Sequence, residues 1–163
     1  MIIMIKSTKN KMSLQTYKAK RKFSKTPEPE GNTKTPPKDK KLIFVIHDHH
    51  ASHHHYDLRL EIDGALASWA VPKEPPIEKN IKRLAVQVED HPIEYAKFQG
   101  TIPEGNYGAG KVEIWDKGLY ELKSKSKDKI EFKLNGKKLN GNYVLIKTSY
   151  GSKPEKSWLW FKV

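Results

Sequence analysis

The chain is 163 residues long, contains no cysteine and carries a formal net charge of +12. That length supports one domain with its own core, and the missing thiols exclude disulfides and thiolate zinc sites. No apolar run is long enough to span a bilayer, and the opening MIIMI, followed at once by lysine, lacks the form of a signal peptide, so a soluble cytoplasmic protein with no membrane partner is expected.

In chain order, residues 1–41 form a basic arm with twelve Lys/Arg against three acids, +9 in all, which leaves +3 for the rest. Such an arm suits a polyanion, although a solvated tail would have the same composition. Within it, Ser13 is placed to cap a short helix through Leu14, Tyr17 and Ala19 toward Phe23, docking by Tyr17 and Phe23. Residues 26–41, TPEPEGNTKTPPKDKK, have four prolines and almost nothing apolar, the pattern of an extended linker or surface loop. Met12 is an alternative start.

The compact body is expected over residues 42–163. Nine short runs rich in β-branched and aromatic residues predict strands at 42–47, 56–62, 65–71, 84–89, 111–116, 119–123, 129–134, 142–148 and 157–162. Asp63-Gly64, Lys117-Gly118 and Asn135-Gly136 read as hairpin turns between them. The fold class is therefore mainly all-β, an all-β sandwich or, in preference, a small closed barrel, one mouth of which can carry a site, plus the short helix and basic arm.

Six of the seven histidines fall between His47 and Arg59, in HDHHASHHHYDLR. If its second part is a strand, His53, His55, Asp57, Arg59 and Glu61 share one face, with Tyr56, Leu58, Leu60 and Ile62 on the other. Imidazole and carboxylate on one face suit a divalent transition metal, and an arginine beside them suits a phosphate oxygen. Periodicity does not say which histidines bind: His49 precedes the strand, and His53 lies at its start.

Two further segments carry polar residues that could join the first. In VEDHPIEY, Pro92 stops a strand just after Glu89, Asp90 and His91; the histidine could protonate a leaving oxygen and Tyr95 could donate a hydroxyl hydrogen, or all could be loop residues. GTIPEGNYGAGK has four glycines but lacks the ending of a P-loop, so it reads first as a crossing between strands. Lys73 and Arg83, flanking PKEPPIEKN, could line a phosphate pocket or be surface charge. The four tryptophans are expected in the core.

The blocks YKAKRKFSKTPEPEG, HHASHHHYDLRLEIDGALASWAVPK and RLAVQVEDHPIEYAKFQGTIPEGNYGAGKVEIWDKG resemble the 3′-phosphoesterase domain of bacterial DNA ligase D and its stand-alone archaeal and bacterial relatives. The resemblance implies a β-barrel that binds manganese, with cobalt or zinc as alternatives, and heals 3′ ends. Such an enzyme removes a 3′-terminal ribonucleoside and then the 3′-phosphate, leaving a 3′-hydroxyl for repair synthesis or ligation. By motif position it implies His49, His55 and Asp57 as metal ligands and Arg59, His91, Tyr95 and Glu89 as the phosphate pocket. Arg21, Glu28, Lys73 and Arg83 also fall at functional family positions, so the arm would belong to the site. Its partners would be nucleic-acid 3′ ends and, in trans, a ligase, polymerase or end-binding protein.

Two departures stand out. Lys22 replaces an aspartate that many relatives carry, and His47-Asp48 replaces a common Gln-Lys pair; His47 is thereby a candidate contact to metal or phosphate. Two readings from other classes remain: a cupin-like metal oxygenase or isomerase with His53, His55 and Glu61 as ligands, and a non-catalytic nucleic-acid-binding module.

Overall fold

A computed structural model describes residues 14–31 and 41–163. Among the described residues nine strands are present: β1 (Leu42–His50), β2 (His55–Ile62), β3 (Ala65–Val71), β4 (Lys82–His91), β5 (Gly100–Ile102), β6 (Gly110–Lys125), β7 (Lys129–Asn135), β8 (Asn140–Lys147) and β9 (Ser157–Lys162). Their order is β1-β2-β3-β4-β9-β8-β7-β6-β5, and a second pairing of β1 with β6 closes an eight-stranded antiparallel barrel that leaves β5 outside the ring. The expected class and closure are therefore present. No helix among the described residues is long and apolar enough to cross a membrane.

Alternation along the strands builds two cores on opposite sides of one wall. The lumen is filled by Phe44, Ile46, Leu58, Leu60, Trp69, Phe132, Tyr143, Leu145, Trp158, Trp160 and their neighbours, with Trp115 packed against them. The tryptophans are thus core residues, as their strand positions suggested. On the outer side, Val45, Leu66, Ile102 and Val112 are covered by Tyr17, Tyr95, Ala96 and Phe98. Tyr17 comes from a helix at residues 14–19, called α1 here; Tyr95 and Ala96 come from a 3-10 turn at Ile93–Lys97.

The helix stops four residues short of Phe23, which still packs on Tyr17 at 5.9 Å between ring centroids. Ser13, the expected cap, lies outside the described residues, as do residues 32–40 of the linker. Two of the linker's first residues, Thr26 and Glu28, are buried, while Pro27 and Glu30 are exposed.

Two expectations are corrected in β6. The runs at 111–116 and 119–123 are one strand, and Lys117-Gly118 is no turn but pairs with Val45 and Phe44 of β1. This long strand pairs with β1 along one edge while the other edge pairs first with β5 and then with β7. The glycine serves close approach: a Cβ at position 118 would overlap the carbonyl oxygen of Asn135 across the sheet. β5, the ninth strand, arises from GTI in the glycine-rich segment.

Two bulges shape the outer wall. Between Ile46 and His47 of β1, the register on β6 skips Trp115. In β4 an extra residue lies between Val88, opposite Ser68, and His91, opposite Leu66. Cross-strand partners share a face, so this bulge turns His91 to the outer side with Leu66.

Because the clash at position 118 is with backbone, side-chain rotation cannot relieve it. Gly118→Ala is expected to destabilise the barrel by about 1–3 kcal/mol, read as a lower urea midpoint; an unchanged midpoint would refute the packing argument.

Candidate active site

In β2, Leu58 and Leu60 belong to the lumen, which points Asp57, Arg59 and Glu61 to the outer side. All three are buried there. A polar row inside an apolar covering needs internal partners, and the partners define the site. It lies on the outer wall of the barrel.

His49 of β1 is opposite His55 of β2, with ring centroids 4.8 Å apart. The Nε2–H of His49 donates to the Gly108 carbonyl at 2.7 Å and the Nδ1–H of His55 to the His53 carbonyl at 2.8 Å. Since a carbonyl only accepts, each ring turns its other nitrogen inward, His49 Nδ1 at 3.6 Å and His55 Nε2 at 3.4 Å from Asp57 Oδ2. The three ligand atoms lie within 4.8 Å of one another. With both imidazoles neutral, nitrogen lone pairs would face a carboxylate, and a cation resolves that repulsion. Two backbone-oriented imidazoles and a carboxylate fit a divalent transition ion, with His49, His55 and Asp57 holding it.

Arg59 holds this group from behind. Its Nη2 lies 3.4 Å from Asp57 Oδ2, its Nη1 donates to Ser68 Oγ at 2.9 Å, and its Nε donates to His47 Nδ1 at 3.1 Å. Its guanidinium sits 4.8 Å from the centroid of the Tyr95 ring. Burial opposes ionisation of Asp57, yet Arg59 and the two histidines hold its carboxyl well below the usual range. Burial also disfavours the charged form of His55, but hydrogen bonding to Asp57 raises its pKa.

His47 turns both ring nitrogens to protein partners. It is fully buried, and both ring nitrogens are engaged: Nδ1 accepts from Arg59, and Nε2–H donates to the Phe98 carbonyl at 3.0 Å. Burial, reinforced by Arg59, pulls its pKa down to about 3. This histidine is a neutral strut for Arg59.

The arm supplies the other wall. Arg21 donates from Nε to Glu28 at 2.8 Å and from Nη1 to Glu89 at 3.3 Å, and its Nη2 lies 3.3 Å from His91 Nε2. Glu28 also accepts from Tyr95 at 2.8 Å and Thr26 at 2.9 Å. Lys20 pairs with Glu89 at 3.0 Å. The Nδ1–H of His91 donates to the Glu89 carbonyl at 2.9 Å, so Nε2 presents its lone pair to Arg21. Burial, then the charges of Arg59 and Arg21, push the His91 pKa well below its ordinary value.

Most of the expected residues are thus brought together: His49, His55, Asp57, Arg59, Glu89, His91, Tyr95, Arg21 and Glu28. Lys73 and Arg83 are not. Lys73 is exposed beyond the end of β3, and Arg83 donates to the Glu74 carbonyl at 2.7 Å while sharing the lumen-facing side of β4 with its partner Trp160. The cupin-like triplet is not assembled either: His53 is exposed, and Glu61 accepts from the Ile43 amide at 3.0 Å. Ser68 and Lys20 were missed, and Tyr17 was expected to dock the helix but not to border the site. Ser68 left a trace, as the hydroxyl in the otherwise apolar ALASWAV.

The model for the DNA Ligase D 3′-phosphoesterase domain matches residues 47–147. The chain belongs to that family. It is 46% identical over 157 residues to the multifunctional non-homologous end joining protein LigD of Pseudomonas aeruginosa, covering 92% of this chain and 18% of that protein. It is 47% identical over 140 residues to the Mycobacterium tuberculosis non-homologous end joining DNA repair protein LigD, 83% of this chain and 18% of the relative. With LigD of Mycolicibacterium smegmatis the identity is 47% over 159 residues, 90% and 20% of the two chains. The family match therefore covers a segment of about a fifth of these relatives.

Two predictions follow from the buried network. A histidine whose pKa is depressed in the fold binds its proton in the unfolded chain first, so stability falls as pH drops below about 6.5, by up to about 1.4 kcal/mol per pH unit for each such group. For His47 the loss extends down to about pH 3; His47→Gln, able to accept from Arg59 and donate to Phe98 without titrating, is expected to flatten that slope in urea melts from pH 7 to 4. Glu28→Ala takes one of two carboxylates from the buried guanidinium of Arg21 and the acceptor from the Tyr95 hydroxyl, and should cost about 1–3 kcal/mol, with faster tryptic cleavage at Lys18–Lys25; unchanged stability and digestion would detach the arm from the site.

Proposed function

We propose that this chain is a metal-dependent phosphoesterase that heals nucleic-acid 3′ ends, hydrolysing a 3′-phosphate and excising a 3′-terminal ribonucleoside to leave a 3′-hydroxyl. The observation that carries the reading is the convergence of His49 Nδ1, His55 Nε2 and Asp57 Oδ2 directly in front of Arg59. Family membership supports a hydrolase acting on 3′ ends, and the named relatives support a role in processing ends for end joining. Manganese is the metal proposed, with cobalt or zinc as alternatives. Bound by these residues, the ion supplies Lewis-acid stabilisation of phosphoryl charge.

The chain's own residues divide the remaining work. Arg59 has three of its five N–H groups committed to protein, leaving two donors for phosphate oxygens in a fixed fork. Tyr95 and His47 hold that fork in place, and Arg21 and Glu89 orient His91. In hydrolysis a water oxygen bonds to phosphorus, the P–O3′ bond breaks, and the departing oxygen takes a proton. His91 starts neutral, with Nε2 facing the pocket side of Arg21. A phosphate dianion beside it would raise its proton affinity and equip it to protonate the leaving oxygen. In excision of a terminal ribonucleoside water again adds to phosphorus, but the P–O5′ bond of the last phosphodiester breaks, the O5′ leaves with a proton, and the 3′-phosphate left behind is the substrate of the first reaction.

Lys18, Lys20, Lys22 and Lys25 lie on the exposed side of the arm and are the proposed grip on the strand's phosphates, so affinity should weaken with salt. The proposed setting is the cytoplasm, with a ligase, polymerase or end-binding protein acting in trans. Lys73 and Arg83 are left out of the pocket.

The test is a 5′-labelled primer-template ending in a ribonucleotide with a 3′-phosphate, incubated with and without manganese. Metal-dependent conversion to the 3′-hydroxyl is expected, abolished by His55→Ala and reduced about 10²–10³-fold by Arg59→Lys. No conversion by folded protein with manganese, cobalt, zinc or magnesium would sink the reading in favour of a non-catalytic module.

A further inference from the structure

A second group of donors converges on the other side of the β1–β2 hairpin. Asp48 and His50 alternate with His49 along β1, and Asp48 is opposite Tyr56, whose ring packs against Trp115 at the lumen side. His54 stands in the turn before β2. Asp48 Oδ1 is 2.5 Å from His54 Nε2 and 3.3 Å from His50 Nε2. The two imidazoles are parallel within 5°, with centroids 4.4 Å apart, and the three ligand atoms fit within 4.8 Å.

Two stacked rings turn Nε2 toward one carboxylate oxygen, which brings three ligand atoms of the kinds that bind divalent ions to a single point. One divalent ion could take both nitrogens and the carboxylate oxygen while the other nitrogen of each ring keeps its proton. We propose that Asp48, His50 and His54 form a second divalent-metal site, suited to a borderline ion of the zinc class, distinct from the cluster around Asp57. The histidines are about half exposed, at 49% and 47% of their side-chain surface, so the ion would keep water-accessible coordination positions. Occupancy ties the turn at 51–54 to the end of β1, immediately beside His49 and His55. The sequence permits this because successive strand residues face opposite ways: 48, 50 and 54 serve one side, 49, 55 and 57 the other.

The experiment is metal binding by the full chain without a polyhistidine tag, dialysed against Zn2+ and measured by elemental analysis. Wild type is expected to hold two equivalents, His50→Ala/His54→Ala one, His55→Ala/Asp57→Ala one, and the exposed control His53→Ala two. Zn2+ added to the His55→Ala/Asp57→Ala protein should shift the ring 15N resonances of His50 and His54. The proposal is overturned if the His50/His54 variant keeps every wild-type equivalent, or if those resonances do not move. Failure of the proposed function is read separately, as an undiminished equivalent in the His55/Asp57 variant.

Discussion

A carboxylate buried on the outside of a barrel remains ionised only if positive groups are fixed around it, and the Asp57–Arg59 contact meets that requirement. Both residues come from one strand, two positions apart, so the sheet itself sets their spacing. What the sheet cannot do is hold the guanidinium still. That falls to His47 across the β1–β2 pairing, Ser68 across the β2–β3 pairing and Tyr95 from above. Removing any of these would free Arg59 without touching Asp57, which makes them positioning residues.

A polar row on an outer wall also dictates a covering. If left open to water, the attraction between Asp57 and Arg59 would be weakened by solvent screening; sealed under aliphatic residues alone, the charges would lack partners. The structure lays Tyr17 and the 3-10 turn over the apolar rim and matches the charged centre with charge from the arm. Arg21 spends its donors on Glu28, Glu89 and the Tyr17 carbonyl. The arm is therefore held by the same ion pairs that orient His91, so folding of the arm and assembly of the site are one event.

The sequence made β2 legible because its alternation is uninterrupted: Leu58 and Leu60 go to the lumen, Asp57 and Arg59 to the outside. Barrel class followed from strand spacing for the same reason. Legibility ended where the chain departs from strict period two. The extra residue in β4 aligns His91 with Leu66, and no count of alternate positions foretells a bulge. Lys117-Gly118 imitates a turn because glycine serves turns and close backbone approach alike, and only the Asn135 carbonyl separates the two cases. The arm's proline-rich segment looked solvated because its buried groups, Thr26 and Glu28, are polar and matched at long range to Tyr95 and Arg21.

Set against the Gln-Lys pair that the resemblance implies at these two positions, His47 and Asp48 have opposite consequences. A glutamine amide offers one acceptor and a donor, and the neutral His47 ring offers the same pair to Arg59 and Phe98. Its low pKa keeps it in that form, so the exchange preserves the strut. Asp48 faces the other way, where the replacement reverses the sign of the charge. A lysine there would repel a cation approaching His50 and His54, whereas the carboxylate draws both rings to one oxygen. His47 keeps hydrogen bonds behind Arg59, and its neighbour Asp48 supplies the carboxylate of the proposed second metal site on the opposite face of the same strand.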